Sequence, residues 1–324
     1  MAVYTQIEPA ELDALLSDYD IGAPISLKGI AEGVENSNYL LETETGKYIL
    51  TVYEKRVAPE DLPFFLDLKT HLAKAGIHCP VPIKRKQGGV LSYVKNRPAA
   101  IISFLEGASM RRPQVSHCFK LGQAMAQLHL AGMDFDQSRA NSLSLDAWQD
   151  LFAQNRHQVN QVHPNMESYI SEELALMHEN WPQNLPTGII HADLFIDNVF
   201  FLNDEVSGII DFYFACTDQL VYDIAITLNA WCFEADVNFN ITKAKAILEG
   251  YQTVRPLSEA EIQALPILSR GAALRFLLTR LHDWFNHDPE ALVRPKNPTD
   301  YLRRLRFHKT ATRPQDYGIT QEKI

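Results

Sequence analysis

The sequence predicts an α+β fold with two lobes: an N-terminal lobe built on an antiparallel five-stranded sheet with one main helix, and a mostly helical C-terminal lobe. Strand-like runs separated by tight turns dominate the chain up to about residue 105. From Pro113 onward, apolar residues recur at three- and four-residue spacing. The length of 324 residues accommodates two domains of ordinary size. We therefore expect one lobe over 1–105 and the other over 106–324.

The N-terminal lobe is predicted to begin with a short helix, because Pro9 suits the first position of a helical pattern over 9–19. Three strands are then expected at 24–33, 37–44 and 47–54, where β-forming residues cluster. A second helix is predicted from Pro59 to about Ala75, with Gly76 as its C-cap. The runs GGVLSYVKN and RPAAIISFLEG would supply two further strands and complete a five-stranded sheet.

The C-terminal lobe shows six segments with helical periodicity, at 113–131, 144–160, 165–180, 222–233, 241–252 and 258–286. The region 188–212 differs, because GIIHADL, NVFFL and VSGIIDF are short β-like runs separated by polar turns. We expect this region to carry the chemistry of the protein.

Composition narrows the class of partner and the location. The net charge of −10 gives no electrostatic reason to bind nucleic acid or an anionic membrane, so a small-molecule partner is favoured. The four cysteines are widely spaced, which predicts free thiols in a reducing compartment. No basic, apolar leader and no uncharged run of about 20 residues is present, so a cytoplasmic location is expected.

Three polar side chains interrupt the apolar runs HADLFIDN and IIDF. Phosphoryl transfer needs a base for the acceptor hydroxyl, and Mg²⁺ prefers hard oxygen ligands. The spacing predicts Asp193 as the base and Asn198 and Asp211 as metal ligands. His191 is interpreted as support for the loop rather than as a base. The alternative is that each Asp is a turn or N-cap residue and that Asn198 is a turn residue.

A phosphate-binding turn is predicted in GIAEGVENSNYL, because Gly29 and Gly33 lack a Cβ and would let the backbone approach phosphate closely. Asn36 and Ser37 are candidate polar supports. The alternative is an ordinary hairpin turn, since two glycines four residues apart are a weak signal.

The backbone of IISFLEG would then run past the adenine of ATP, where strand N–H and C=O groups can pair with a base. Ser103 and Leu105 are the candidates by position. The alternative is an ordinary buried strand, which the residue types permit equally.

These residues together resemble the kinase-like phosphotransferases of small molecules, a group that contains aminoglycoside phosphotransferases, choline kinases and methylthioribose kinases. HADLFIDN is similar to the catalytic loop of that group, and IIDF is similar to its metal-binding strand. The resemblance implies a protein-kinase-like fold with ATP and Mg²⁺ as cofactors. It also implies that Asp223, in YDIA, braces the catalytic loop; the alternative is a helix N-cap.

Within this group the chain resembles the type II homoserine kinases of threonine biosynthesis. The resemblance rests on YILTVYEKR, LPFFLDLKTHLAKAGIHCPVPI and SRGAALRFLLTRLHDW and covers nearly the whole chain. It implies transfer of the ATP γ-phosphoryl group to the hydroxyl of L-homoserine, with no obligate protein partner. The alternatives are kinases for an aminoglycoside, choline or methylthioribose. The basic residues near the C-terminus count against a polycationic aminoglycoside acceptor.

One position departs from the kinase pattern. Many kinases place a Lys on the third strand to hold phosphates, whereas the corresponding place here is Thr51. Lys28, Lys47 and Lys55 are candidate substitutes that the sequence does not rank. The departure also motivates the alternative of an inactive, nucleotide-binding kinase-like protein.

The acceptor carboxylate of homoserine would suit an arginine, because a guanidinium can bind a carboxylate through two hydrogen bonds. Arg275 and Arg280 lie on a predicted helix and are the candidates. The alternatives are a buried structural role for Arg275 and a surface salt bridge for Arg280.

Overall fold

The computed structural model describes residues 4–30, 36–54, 57–235, 237–287 and 294–319. Contacts divide the chain into two compact units. The first contains Met1–Gly107 and Ser207–Tyr213, and the second contains Ala108–Val206 and Phe214–Ile324. The segment Ser207–Tyr213 therefore belongs to the first unit, although the sequence alone assigned everything after residue 105 to the second.

The first unit contains α1 (Pro9–Leu16), β1 (Pro24–Gly29), β2 (Ser37–Thr43), β3 (Gly46–Val52), α2 (Leu62–Lys74), β4 (Ser92–Val94) and β5 (Arg97–Ser103). The strands form one sheet in the order β1-β2-β3-β5-β4, and every pair is antiparallel. The predicted five-stranded antiparallel sheet is confirmed.

The sheet forms because alternate residues of its strands are apolar and pack on α1. Along β2, buried and half-buried residues alternate, as expected for a strand with one face on a core. Leu41 and Leu50 are fully buried in a cluster that includes Leu12 and Leu15 of α1. Gly46 has φ of +148° at the turn between β2 and β3, a conformation that glycine adopts readily. The predicted hairpin is therefore present.

The second unit begins with β6 (Ala108–Ser109), α3 (Val115–Gly132), α4 (Leu145–Asn155), α5 (Met166–Asn180), β7 (Thr187–Ile190) and β8 (Val199–Leu202). After β8, β9 (Glu205–Ile209) leads into the first unit. The second unit continues with β10 (Cys216–Gln219), α6 (Leu220–Trp231), α7 (Ile241–Gln252), α8 (Glu259–Asn286) and α9 (Thr299–Thr310). Strand β7 pairs antiparallel with β10, and β6 pairs antiparallel with β8.

Helix α6 lies at the centre of the second unit, and every one of its residues is buried. Helices α3 and α7 pack closely because each carries a glycine at the contact. A Cβ added to Gly122 would lie 2.1 Å from the Ile247 carbonyl oxygen, and one added to Gly250 would lie 2.0 Å from that of Phe119. Only glycine fits at these two positions without moving backbone.

Two features of the second unit differ from the predictions. The helix predicted over 144–160 ends at Asn155, and a short 3₁₀ turn follows at Val159–Gln161. Helix α9 was not predicted, because its many cationic side chains made the segment look like a basic tail. Its buried face consists of Tyr301, Leu302, Leu305 and His308, which have helical spacing.

All four cysteines are buried and free, as the sequence predicts. Among the described residues, no helix is long and apolar enough to cross a lipid bilayer.

Candidate active site

The loop predicted to be catalytic connects β7 to β8 and holds Asp193 in a fixed geometry. Asp193 is half-buried between the buried residues Ala192 and Leu194. Its carbonyl oxygen accepts hydrogen bonds from the Phe195 N–H at 2.8 Å and from Asn198 Nδ2 at 2.8 Å. Asn198 Nδ2 also lies 3.4 Å from the Asp193 carboxylate. The structure thus brings together the predicted base and one predicted metal ligand.

The peptide of Ala192 is held from both sides. Ala192 has φ of +60°, a left-handed conformation that is unfavourable for a residue with a Cβ. Its N–H donates to Asp223 Oδ1 at 2.9 Å, and its carbonyl accepts from Arg275 Nη1 at 2.6 Å. The adjacent His191 N–H donates to Asp223 Oδ2 at 2.9 Å. These bonds fix the strained turn that precedes Asp193.

Asp223 is fully buried on α6 and is held ionised by its partners. His129 Nε2 lies 3.1 Å from Asp223 Oδ2, and His129 Nδ1 lies 2.8 Å from the Tyr251 hydroxyl. Burial acts to raise the pKa of the Asp223 carboxyl. Hydrogen bonding to His129, its charge and the N–H of His191 outweigh this effect, so the pKa lies below its ordinary value. Asp223 thus lies against the turn that precedes Asp193, and its bracing role stays a prediction.

His191 is fully buried and supports the loop. Its Nδ1 accepts a hydrogen bond from the Asp193 N–H at 3.3 Å. The ring thus contacts the backbone of Asp193, and its supporting role stays a prediction.

The predicted metal ligands supply donors that suit Mg²⁺. Asn198 is buried in the second unit, in a short 3₁₀ turn that ends the catalytic loop. Asp211 belongs to the first unit, follows β9 and has φ of +65°. An amide oxygen and a carboxylate are hard ligands, and Mg²⁺ needs few ligands from the protein when phosphate supplies others.

Among the described residues, no group of three or more His, Cys, Asp or Glu side chains could hold a metal. A magnesium site built from one Asn and one Asp does not require such a group.

The predicted phosphate-binding turn is described only in part. Gly29 is exposed at the end of β1, whereas Gly33 lies outside the described residues. Ser37 Oγ accepts from the N–H groups of Tyr4 and Thr5 and donates to Glu54 Oε1. Because one hydroxyl offers one donor and two acceptor sites, these bonds occupy it fully.

Asn36 is buried beside this turn, and its Oδ1 accepts from the Glu54 N–H at 3.3 Å. Asn36 and Ser37 therefore anchor the strand within the first unit.

Among the predicted adenine contacts, Ser103 is tied to the neighbouring segment. Its N–H donates to the Val81 carbonyl at 2.8 Å, and its Oγ accepts from the Val81 N–H at 2.9 Å. Leu105 is half-buried and follows the end of β5. The Ser103 N–H is thus already used within the first unit, and the pairing of Leu105 with adenine stays a prediction.

Thr51 lies at the position where many kinases carry a lysine. Its hydroxyl already has a partner, since Thr51 Oγ1 donates to Asn38 Oδ1 at 2.8 Å. Lys28 and Lys47 are exposed, and Lys55 lies outside the described residues. A further lysine, which the sequence analysis did not consider, is buried in the same unit.

Lys69 on α2 is 3% exposed, and its ammonium lies 5.4 Å from the centroid of the Tyr213 ring. Burial lowers the pKa of Lys69 to about 8, while the charges of Cys79 and Asp211 act in the opposite direction. The positive charge of Lys69 therefore interacts with the carboxylate of Asp211.

Replacing Lys69 by Met is expected to stabilise the protein at pH 7. The folded-state pKa of about 8 lies below the ordinary value of 10.5, so burial of the ammonium opposes folding wherever both states are protonated. Between these two values the unfolded state holds more protons, and the wild type gains stability as pH rises. The shift corresponds to roughly 3 kcal/mol. Thermal unfolding at pH 7 and at pH 9.5 measures the difference between variant and wild type.

The expected gain of the Lys69→Met variant is large at pH 7 and smaller at pH 9.5. Lys74→Met, at an exposed position on the same helix, is the matched control and should change little at either pH. A Lys69→Met variant that is no more stable than the wild type at pH 7 would contradict this account of the buried ammonium.

The two predicted substrate arginines have different surroundings. Arg275 is 1% exposed, donates to the catalytic loop and lies over the Phe276 ring at 4.5 Å. These contacts favour the structural alternative for Arg275. Arg280 is half-buried; its Nη1 donates to the Asn297 carbonyl at 3.1 Å and lies 3.5 Å from Asp300.

Sequence reasoning missed His129, Lys69 and the contact between Arg275 and Ala192. His129 reaches Asp223 across 94 positions of sequence, and Arg275 reaches Ala192 across 83. Helical periodicity could place both side chains on a buried helix face. The sequence does not show which distant group each side chain contacts.

Known proteins match this chain over most of its length. Residues 26–257 match the phosphotransferase enzyme family. A homoserine kinase of Xanthobacter autotrophicus is 59% identical over 319 residues, which cover 98% of this chain and 99% of that protein.

Two solved structures share the fold. The choline kinase of Cryptosporidium parvum superposes with a TM-score of 0.69 at 14% identity, covering 94% of this chain and 95% of that one. A microcompartment-associated aminopropanol kinase gives a TM-score of 0.65 at 18% identity, with coverages of 96% and 99%. The predicted kinase-like α+β fold is confirmed.

Proposed function

Because the chain belongs to the phosphotransferase enzyme family, we propose that it is a homoserine kinase, which transfers the γ-phosphoryl group of ATP to the side-chain hydroxyl of L-homoserine. The observation that carries this proposal is the identity of 59% to a homoserine kinase over almost the full length of both chains. The braced loop around Asp193 supports it, because phosphoryl transfer depends mainly on positioning and electrostatics.

In the proposed reaction, Asp193 accepts a hydrogen bond from the homoserine hydroxyl and takes its proton. The hydroxyl oxygen forms a bond to the γ-phosphorus, and the bond from that phosphorus to the β–γ bridging oxygen breaks. ADP leaves with the electron pair of the broken bond. The hydrogen bonds made by the N–H and the carbonyl of Ala192 keep the Asp193 carboxylate in place, so little reorganisation is needed during transfer.

We assign Asn198 and Asp211 as the protein ligands of Mg²⁺, which neutralises phosphate charge when bound. The donation of Asn198 Nδ2 to the Asp193 carbonyl fixes the amide plane and leaves Oδ1 as the atom suited to a cation. Gly29 and Gly33 are proposed to approach the phosphates through backbone, and the backbone near Leu105 to pair with adenine. Lys69 adds positive charge near Asp211, which offsets in part the absence of a lysine at the position of Thr51.

The acceptor panel is the test of this function. Purified protein with ATP and Mg²⁺ is supplied separately with L-homoserine, choline, methylthioribose and an aminoglycoside, and ADP release is measured. We expect turnover with L-homoserine and at most weak turnover with the others. Turnover restricted to another acceptor would refute the substrate, and no turnover with any acceptor would favour the inactive alternative motivated by Thr51.

The setting proposed for this activity is the cytoplasm. The reaction consumes ATP and a free amino acid, and the product, O-phospho-L-homoserine, serves threonine biosynthesis. Four buried free thiols suit a reducing compartment. No protein partner is required by the chemistry.

A further inference from the structure

A group of aromatic and cationic side chains lies next to the catalytic base in the second unit. Phe195, two residues after Asp193, packs edge-on against Phe276 with ring centroids 5.1 Å apart. Phe276 in turn stacks on Tyr301 at 5.1 Å. We call Phe195, Phe276, Arg280, Lys296 and Tyr301 the cationic corner.

Lys296 is the exposed cation of this corner, and its ammonium lies 5.5 Å from the centroid of the Phe195 ring. Within the described ranges, no carboxylate lies within ion-pair distance of Lys296. The contact places this ammonium beside the ring of Phe195, two residues after Asp193.

Specific contacts hold the chain on the C-terminal side of Lys296. Arg280 donates to the carbonyl of Asn297, the residue that follows Lys296, and its guanidinium packs 4.4 Å from the Tyr301 ring centroid. Asn297 Oδ1 accepts from the N–H and the hydroxyl of Thr299 at 2.9 Å each, which fixes the segment to the start of α9. The residue that follows Lys296 is thus fixed both to α8, through Arg280, and to the start of α9.

Asp193 acts electrostatically on the same corner. The Tyr301 hydroxyl is buried, and in the described part of the chain it has no hydrogen-bond partner. Burial raises the pKa of Tyr301, the charges of Arg304 and Arg280 oppose this, and the charge of Asp193 adds to it. The charge of Asp193 thus acts on Tyr301, and Phe195 links the same loop to the ammonium of Lys296.

We propose that Lys296 binds the carboxylate of the amino-acid acceptor and so selects homoserine, while Arg280 positions the segment that presents Lys296. This inference rests on the proposed function. Only three carbon atoms separate the hydroxyl oxygen of homoserine from its carboxyl carbon, so an acceptor bound at Asp193 must place its carboxylate nearby. A lysine supplies a compact point charge for that group, and its ammonium repels cationic acceptors such as choline.

The first measurement is kcat/KM for L-homoserine. Lys296→Met should lower it by about 10- to 100-fold, mainly through KM, because a charge-assisted hydrogen bond to the substrate is lost. Lys296→Arg keeps the charge and should recover most of the loss. Arg294→Met, an exposed position two residues away that removes the same charge, is the matched control and should stay within about twofold of wild type.

The second measurement separates recognition of the carboxylate from a structural role. 3-Amino-1-propanol is homoserine without its carboxylate, and its inhibition constant against homoserine can be measured even where its turnover is slow. Lys296→Met should leave this constant unchanged or lower it, because no carboxylate is present to lose a partner. A merely structural effect would weaken both ligands equally.

The outcomes distinguish this inference from the proposed function. A wild-type protein that does not phosphorylate homoserine overturns the proposed function. A wild type that does so, with Lys296→Met unchanged, with equal losses for homoserine and 3-amino-1-propanol, or with the same loss in Arg294→Met, overturns only the role of Lys296.

Discussion

Replacing Asp193 by Asn is expected to lower kcat for homoserine phosphorylation by about 10²- to 10⁴-fold, the usual contribution of a positioned base. The change removes the proton acceptor but preserves the shape of the side chain. The bonds that fix the loop use the Asp193 carbonyl and N–H, so they survive the substitution. Steady-state kinetics with homoserine and a separate measurement of ATP binding test this expectation.

Asp197→Asn is the matched control for this substitution, because Asp197 is exposed, lies in the same loop and loses the same charge. It should keep kcat within about twofold of wild type. Thermal unfolding should show both variants folded. An Asp193→Asn variant with wild-type turnover would remove Asp193 from the role of base, and an equal loss in both variants would point to the charge of the loop instead.

Replacing Asp223 by Ala is expected to damage both catalysis and stability. The substitution leaves the buried N–H groups of His191 and Ala192 and the ring of His129 without their acceptor. Removing one partner of a buried charged network typically costs about 3 kcal/mol or more of folding free energy. Release of the strained Ala192 peptide should also displace Asp193, and a misplacement of about 1 Å can lower turnover by about 10²-fold.

Thermal unfolding gives the Tm of the Asp223→Ala variant. Its kinetics are then measured below that Tm, so that a loss of turnover does not reflect a loss of folded protein. Asp150→Ala, at an exposed position on α4, is the control and should change neither quantity by much. A variant with a lowered Tm but normal kcat would limit Asp223 to a structural role, and one with a normal Tm would contradict the network itself.

Most of the fold, and the proximity of Asp193 to Asn198, could be predicted from local patterns in the sequence. Alternation and turn residues such as Gly46 placed the strands of the sheet, because each strand has one face on a core. HADLFIDN placed Asp193 and Asn198 together, since five residues of sequence span a single loop. These features depend on near neighbours, which a linear pattern records.

The remaining features depend on contacts between distant positions. Helix α9 has only four buried residues among many cations, and Arg304 lies 4.5 Å from the Tyr301 ring centroid, where the ring partly offsets its charge. The sequence showed Arg275 as a charge among apolar residues. Its acceptor is the Ala192 carbonyl, a backbone atom that residue types do not identify. Lys69 was passed over because helical periodicity does not show which lysine faces inward.

Identification of the product tests the central claim most directly. Wild-type protein is incubated with ATP, Mg²⁺ and L-homoserine, and the phosphorus species are followed by ³¹P NMR. The account predicts loss of the γ-phosphate signal of ATP and a new phosphate monoester that matches authentic O-phospho-L-homoserine, with neither change for Asp193→Asn over the same time. Release of inorganic phosphate alone, or a monoester formed equally well by Asp193→Asn, would contradict it.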